Sequence, residues 1–234
     1  MTISILTLFP EMFEGPFDHS IIKNAVNKGL VKINYINIRD FGIGRHKTVD
    51  DKPYGGGKGM ILRVDVLEKA IENTKKSFKE KGREKVILFD PAGKKYHQKT
   101  AYRLSSLEHL ILVCGHYEGF DARIKEFIDE EISLGDFILT GGEIPAIAVV
   151  DSVVRLIKGV LHDNVTDEES FSRKEQGGLL EYFQYTRPAE YKKLKVPQVL
   201  LSGNHEKIRK WKERNARRIT ILKRPDLLKS KKAS

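Results

Sequence analysis

The sequence predicts an α/β domain with a largely parallel sheet, followed by a small, basic, mostly helical domain. Three observations carry that expectation. The runs "KVILFD" and "HLILVCG" are continuously apolar and end in turn residues, as central strands do when helices cover both faces of a sheet. Stretches with helical spacing alternate with these runs, the pattern of a parallel α/β sheet. The alternation then stops near residue 160, and the charge balance changes beyond it. Residues 189–234 hold 15 Lys or Arg against 4 Asp or Glu, whereas residues 1–188 hold 27 against 28. All of the formal net charge of +10 therefore lies in the last fifth of the chain.

The elements follow in order. "TISILTLF", stopped by Pro10, reads as a buried first strand. "SIIKNAVNKG" reads as a short helix with Ser20 near its N-cap and Gly29 past its end. "LVKINYINI" is rich in β-branched residues and reads as the second strand. Asp65 is placed to cap a helix with Leu67, Ala70, Ile71, Thr74 and Phe78 on one face. After the two central runs, "FDARIKEFIDEE" reads as helical, "EISLGDFILTGGE" as a strand leading into a loop, and "IPAIAVVDSVVRLIKG" as a long apolar helix. These make a first domain of residues 1–160. Residues 161–176, polar and acidic at their centre, read as a flexible linker. Residues 177–234 form the second domain. It contains one long basic helix, capped by Ser202 or Asn204, with Ile208, Trp211, Ala216 and Ile219 at helical spacing.

Composition narrows the function classes. No run reaches the roughly 18 apolar residues of a membrane span. The N-terminus lacks a basic leader, and Cys114 is the only cysteine, so no internal disulfide or cysteine zinc cluster can form. A reducing cytoplasm is expected. The concentrated basic segment favours a polyanion, RNA or DNA ahead of an anionic membrane.

Several chemistries fail on detail. "YGGGKGM", residues 54–60, has Lys58 followed by Gly59, without the hydroxyl residue that a Walker A loop needs for magnesium. Read as a dinucleotide fingerprint, it places Met60 where the last glycine belongs. No G-x-S-x-G elbow exists, Cys114 at the end of an apolar strand reads as an inert thiol, and the histidines are scattered. Two other glycine clusters are better placed. "VCGHYEGFD" and "SLGDFILTGGEIP" follow successive strands, where ligands of open α/β sheets bind. Phe137, Ile138 and Leu139 there can wrap an apolar planar group.

Taken together, "LFPEMF", "RHKTVDDKPYGGGKGM", "LILVCGHYEGFDAR", "SLGDFILTGGEIPA", "DSVVRLIKGVL" and "YTRP…VPQVLLSGNHEKIRKW" resemble one family across nearly the whole chain. It is the bacterial tRNA (guanine-N1)-methyltransferases of the TrmD type, in the SPOUT superfamily. The resemblance implies a deep trefoil knot around residues 89–145 and S-adenosylmethionine bound by the knot loops. It implies a homodimer with active sites at the interface, and N1-methylguanosine at tRNA position 37, in tRNA with G at positions 36 and 37. Cofactor positions fall on Phe89, Asp90 and Pro91, on Gly115, Tyr117, Glu118 and Gly119, on Leu134, Gly135, Asp136, Phe137, Ile138 and Leu139, and on Gly141, Gly142 and Pro145.

The chemistry is constrained independently. N1 of guanine carries a proton at neutral pH, and its removal develops negative charge toward O6. A carboxylate must accept that proton, and a cation or strong donor must stand near O6. Arg155 matches the family arginine at O6. The family has an aspartate just before Ser-Phe, where "DEESF" places Glu169, in a linker one residue shorter; Asp167 is the alternative in another register. Gln184 stands where the family usually has histidine before Tyr-Thr-Arg-Pro. The resemblance also implies magnesium dependence, but the sequence offers no ligand set. Arg45, His46, Asp50 and Gly59 around the glycine loop, and Arg187, Asn204 and His205 in the second domain, are the expected RNA contacts. Lys207, Arg209, Lys210, Lys212, Arg214, Arg217 and Arg218 are further backbone-contact candidates. Competing readings are a SPOUT enzyme acting on a ribose 2′-hydroxyl, and a non-catalytic RNA-binding module.

Overall fold

The computed structural model describes residues 1–79, 82–162, 165–167, 169–172 and 178–229. The chain divides into two compact units, Met1–Leu161 and His162–Ser234.

The first unit contains β1 (Thr2–Thr7), α1 (Ser20–Asn27), β2 (Lys32–Asn37), β3 (Asp50–Asp51), β4 (Ile61–Leu62) and α2 (Val64–Ser77). It continues with β5 (Glu84–Lys95), α3 (Gln98–Leu104), β6 (His109–Val113), β7 (Glu130–Ser133) and α4 (Glu143–Val154). Five strands form one sheet in the order β2-β1-β6-β5-β7, and every pairing in it is parallel. The register aligns Thr2 with His109 and His109 with Glu84, so the carboxyl ends of β1, β5 and β6 lie together.

Alternation along the central strands explains why they read as unbroken apolar runs. Ile3, Ile5, Ile87, Leu110 and Leu112 join one core with side chains of α1, α3 and α4. Leu6, Val86, Leu88, Ile111 and Val113 join a second core with Val66, Leu67, Ala70 and Ile71 of α2. A strand buried on both faces has no polar side to show. Each such side chain contributes on the order of 1.5–3 kcal/mol by leaving water.

Two local readings are corrected. Asp65 does not cap α2. The helix starts at Val64 with Arg63 at its N-cap, and the Asp65 carboxylate instead takes both Nε and Nη2 of Arg63, at 3.1 and 2.9 Å. The helix expected over "FDARIKEFIDEE" shrinks to a 3-10 turn, Ala122–Phe127, and its acidic end becomes β7. The cause is a carboxylate that captures a strand. Asp129 accepts from the Val86 amide at 2.8 Å, while Glu130 and Glu131 pair with Arg103 and Lys125 along the extended edge.

At the amino ends of β1, β5 and β6 lies a buried polar chain. His109 donates through Nδ1 to Glu84 at 2.6 Å, Ser4 approaches Nε2 at 2.9 Å, and the Phe78 ring stacks on the imidazole. Burial pushes the His109 pKa below its usual value, against the opposing pull of Glu84. A depressed histidine contributes stability above the unfolded value near 6.5, and that contribution is lost as pH falls toward the folded value. The melting-temperature gap between the parent and His109→Gln is therefore expected to narrow from pH 7.5 to pH 5. A gap that stays constant over that range refutes the assignment.

The second unit contains a short hairpin of β8 (Glu190–Tyr191) and β9 (Leu194–Lys195), then α5 (Gln198–Leu201), α6 (His205–Lys223) and α7 (Asp226–Lys229). Asn204, rather than Ser202, caps α6 by accepting from the Lys207 amide at 3.0 Å. Ala216, Ile219 and Thr220 are its buried face, and Tyr182 and Tyr185 pack around Trp211. Of the stretch expected as a linker, residues 163, 164, 168 and 173–176 lie outside the described residues. Its residues 169–172 are bonded into the second unit: the Phe171 amide donates to the Leu179 carbonyl at 3.0 Å, and Ser170 accepts from the Glu181 amide at 2.9 Å.

Candidate active site

Three segments converge beyond the carboxyl ends of the strands and enclose a cavity of about 440 Å³. The first is an excursion in β5. Its register with β7 shifts between Phe89 and Lys94, which frees Asp90 and Pro91 for the cavity rim. Proline, lacking an amide hydrogen, suits such a break in the ladder. The second is the loop after β6, from Gly115 to Phe120, and the third is the loop from β7 into α4. Every sequence-derived cofactor position lines this cavity except Asp136. The Asp136 carboxylate turns outward and pairs with Lys95 at 2.7 Å.

The sequence reading missed His116, Phe120, Ile132, Ser133 and Thr140, which also line it. Their only sequence signal was nearness to recognised positions. His116 packs against Phe9, with ring centroids 4.8 Å apart.

The walls are backbone by necessity. A side chain on Gly142 would begin 2.6 Å from Cα of Cys114, and the Gly142 amide donates to the Gly115 carbonyl at 2.8 Å. Tyr117 is held at φ +61°, a strained conformation for a residue with a side chain. Opposite the polar backbone, Phe137, Ile138 and Leu139 leave much of their apolar surface in solvent, as at a ligand rim. Beneath Gly141 lies Glu143, buried at the first position of α4, where the helix dipole favours an anion. One of its oxygens accepts from Thr7 at 2.7 Å, and the other has no hydrogen-bond partner among the described residues. Burial and the Glu143 charge push the neighbouring Cys114 thiol well above its usual pKa, leaving it inert.

The glycine loop at residues 54–60 is fastened to this site. It joins β3 to β4, which pair antiparallel through Asp50–Leu62 and Asp51–Ile61. Gly59 lies directly against the Glu118 side chain, with no room for a side chain of its own. The Glu118 amide donates to the Met60 carbonyl at 3.1 Å, and the Leu62 amide to the Gly119 carbonyl at 2.9 Å. Arg45 and His46 are exposed on the turn closed by Ile43 and Thr48, and Asp50 is half-buried in β3.

A profile described as tRNA (Guanine-1)-methyltransferase TrmD matches residues 1–230. The chain belongs to that family. A protein named tRNA (guanine-N(1)-)-methyltransferase from Dictyoglomus turgidum is 54% identical over 229 residues, 97% of this chain and 90% of the relative. Proteins of the same name from Carboxydothermus hydrogenoformans and Bacillus velezensis are 54% and 51% identical. The alignments cover 98% of this chain in both cases, and 88% and 93% of the respective relatives.

The remaining candidates of this TrmD-family chain fall in both units. Arg155 is half-buried at the C-cap of α4, in the first unit. Asp167 and Glu169 are half-buried in the second, where the Glu169 carbonyl accepts from the Ser172 amide at 3.0 Å. Arg187 and His205 are exposed there, and the Asn204 side-chain oxygen is engaged in capping α6. Along α6, Lys210 and Arg209 pair with Glu206 and Glu213, both at 2.6 Å, while Arg214, Arg217 and Arg218 are exposed. Among the described residues no group of three or more His, Cys, Asp or Glu side chains is placed to hold a metal ion. No helix among them is long and apolar enough to cross a membrane.

Proposed function

We propose that the chain methylates N1 of guanosine at position 37 of tRNA, with Glu169 as proton acceptor and Arg155 as the cation beside O6. Methylation of a tRNA guanine at N1 follows from membership of the family; the position and the residues go further. The observation that carries the reading is the convergence of the three glycine-bearing segments on one apolar-rimmed cavity, in a chain that matches the family from end to end. Its volume of about 440 Å³ lies in the range of cofactor sites.

The residues present fit S-adenosylmethionine. Phe137, Ile138 and Leu139 offer apolar surface for a planar adenine, and the glycine backbone at Gly115, Gly141 and Gly142 offers amides and carbonyls at close approach. When bound, the cofactor supplies an electrophilic methyl group on a sulfonium. The chain's own part is proton transfer and charge. A carboxylate at Glu169 takes the N1 proton, turning a poor nucleophile into a good one. The Arg155 guanidinium offsets the negative charge that grows at O6. Asp167 takes the role of Glu169 if the segment closes in the other register.

In this reading residues 89–145 form a trefoil knot, on the ground of family membership. Residues 1–160 hold the cofactor, and residues 177–234 bind tRNA through the basic face of α6. Arg45, His46, Asp50, Gly59, Arg187, Asn204 and His205 contact the anticodon region. The enzyme acts in the cytoplasm as a homodimer with its active sites at the interface. Among the described residues no cluster of carboxylates or histidines is placed to hold magnesium.

The test is incubation with labelled S-adenosylmethionine and a tRNA transcript carrying G at positions 36 and 37, followed by nucleoside analysis. N1-methylguanosine that disappears when guanosine 37 is replaced by adenosine supports the reading. Label in any other nucleoside, or none at all, ends it.

A further inference from the structure

The ribbon of β3 and β4 presents one aromatic residue with no evident structural task. Tyr54 is fully exposed, the only large hydrophobic side chain of the described residues to be so. Burying a ring of this size is a major stabilising contribution, and Tyr54 forgoes all of it. The backbone around it is nevertheless well defined. The Gly56 amide donates to the Pro53 carbonyl at 3.3 Å, and Gly55, Gly56, Gly57 and Gly59 take φ values of +85°, +82°, +138° and +80°, which residues with side chains rarely adopt. The loop is thus shaped to hold its tip outward while its base stays fastened to the cavity wall through Gly59, Met60 and Leu62.

Beside Tyr54 lies a second cavity of about 320 Å³, which Arg63, Asp65, Asp121 and Arg123 also line. Arg63 is held on both sides, by Asp51 at 3.0 Å and Asp65 at 2.9 Å. Among the described residues Arg123 is ion-paired with Asp121 alone, with Nε at 2.9 Å from the carboxylate, and most of its side chain is in solvent. It is therefore an oriented cation with an open face, next to an unpartnered ring. Aromatic faces that take nucleobases, with a cation for the adjoining phosphate, are how proteins grip unstacked RNA.

We propose that Tyr54 is a stacking platform for a nucleobase flanking the target guanine, with Arg123 beside it meeting the adjoining phosphate. The proposal rests on the tRNA reading above and adds a residue to it. Gly59, at the cavity, lies five positions after Tyr54, a span of at most about 18 Å. That separation suits a neighbour of the target rather than the target itself. Stacking tolerates any base, so this contact adds affinity for the loop of the tRNA and leaves the choice of guanine to other groups.

The experiment measures methyl transfer by the full chain to a tRNA transcript, together with S-adenosylhomocysteine binding by calorimetry. Tyr54→Ala is expected to raise KM for tRNA by about tenfold or more, with Tyr54→Phe and Tyr54→Trp restoring it and S-adenosylhomocysteine binding kept. Arg123→Gln is expected to lower the slope of log affinity against log salt by about one. An unchanged KM in Tyr54→Ala, or failure of Phe to restore it, overturns the proposal. So does a shift of Tyr54→Ala toward a smaller species in sedimentation, which would assign the ring to a second copy of the chain. If the parent chain itself forms no N1-methylguanosine, the underlying reading falls first, and the two failures are told apart.

Discussion

Glu169→Gln is expected to lower kcat for methyl transfer by about two to four orders of magnitude. The amide keeps the size and polarity of the side chain but cannot accept a proton at neutral pH, so N1 stays protonated and non-nucleophilic. The bond from the Ser172 amide goes to the Glu169 main-chain carbonyl, which the substitution keeps. Cofactor affinity should be retained, since none of the cavity-lining groups changes. Single-turnover transfer and calorimetry with S-adenosylhomocysteine, run on the same preparation, separate chemistry from binding. If Glu169→Gln keeps its rate and Asp167→Asn loses it, the base is Asp167. If both retain parental rates, a carboxylate from this segment is not the proton acceptor.

The second large effect concerns space. Gly142→Ala is expected to lower the melting temperature by about 5–10 °C, from roughly 1–3 kcal/mol of overpacking, and to weaken S-adenosylhomocysteine binding at least tenfold. Gly142 has φ −82°, which alanine adopts freely, so backbone strain is not the reason. The obstacle is what the new methyl group meets: Cα of Cys114 at 2.6 Å and the Gly115 amide nitrogen at 2.8 Å. Main chain cannot swing aside like a side-chain tip. Cys114 is also fixed from the other side, its amide donating to the Leu6 carbonyl at 2.9 Å within the sheet. The segment would have to move as a block, and it carries the cavity wall. Unchanged melting together with unchanged binding would show that the two segments separate easily.

The central sheet was legible because burial on both faces leaves a mark on the sequence. β1, β5 and β6 each carry a short run of mostly apolar residues that stops at turn residues, as doubly covered strands do. β7 is legible as the strand opening "EISLGDFILTGGE", but the residues before it read as helical. "ARIKEF" has helical spacing, and only a tertiary contact, the Asp129 carboxylate on the Val86 amide, draws the following residues into the sheet. The cavity was legible in position, since glycine loops after adjacent parallel strands point to one place. The trefoil knot and the named cofactor residues came from family resemblance and not from periodicity. His116 and Thr140 carry no pattern, and Asp136 turns outward because Lys95 stands within reach. The attachment of residues 54–60 to residues 118–121 was invisible for a simpler reason. It consists of main-chain hydrogen bonds across some sixty residues of chain, and main-chain groups are the same in every sequence.

The burial of Cys114 has a practical consequence. It is the chain's only cysteine, and it is fully enclosed, with its thiol held protonated. Any cysteine placed on the surface would therefore react alone with a maleimide dye or spin label, with no background to engineer away. The chain's only tryptophan, Trp211, sits between Tyr182 and Tyr185 in the second unit and offers an intrinsic energy-transfer donor there. A single label at an exposed position outside the proposed RNA contacts, such as Lys76 on α2, paired with that donor, turns the chain into a two-colour ruler for following the two units as tRNA is captured and released.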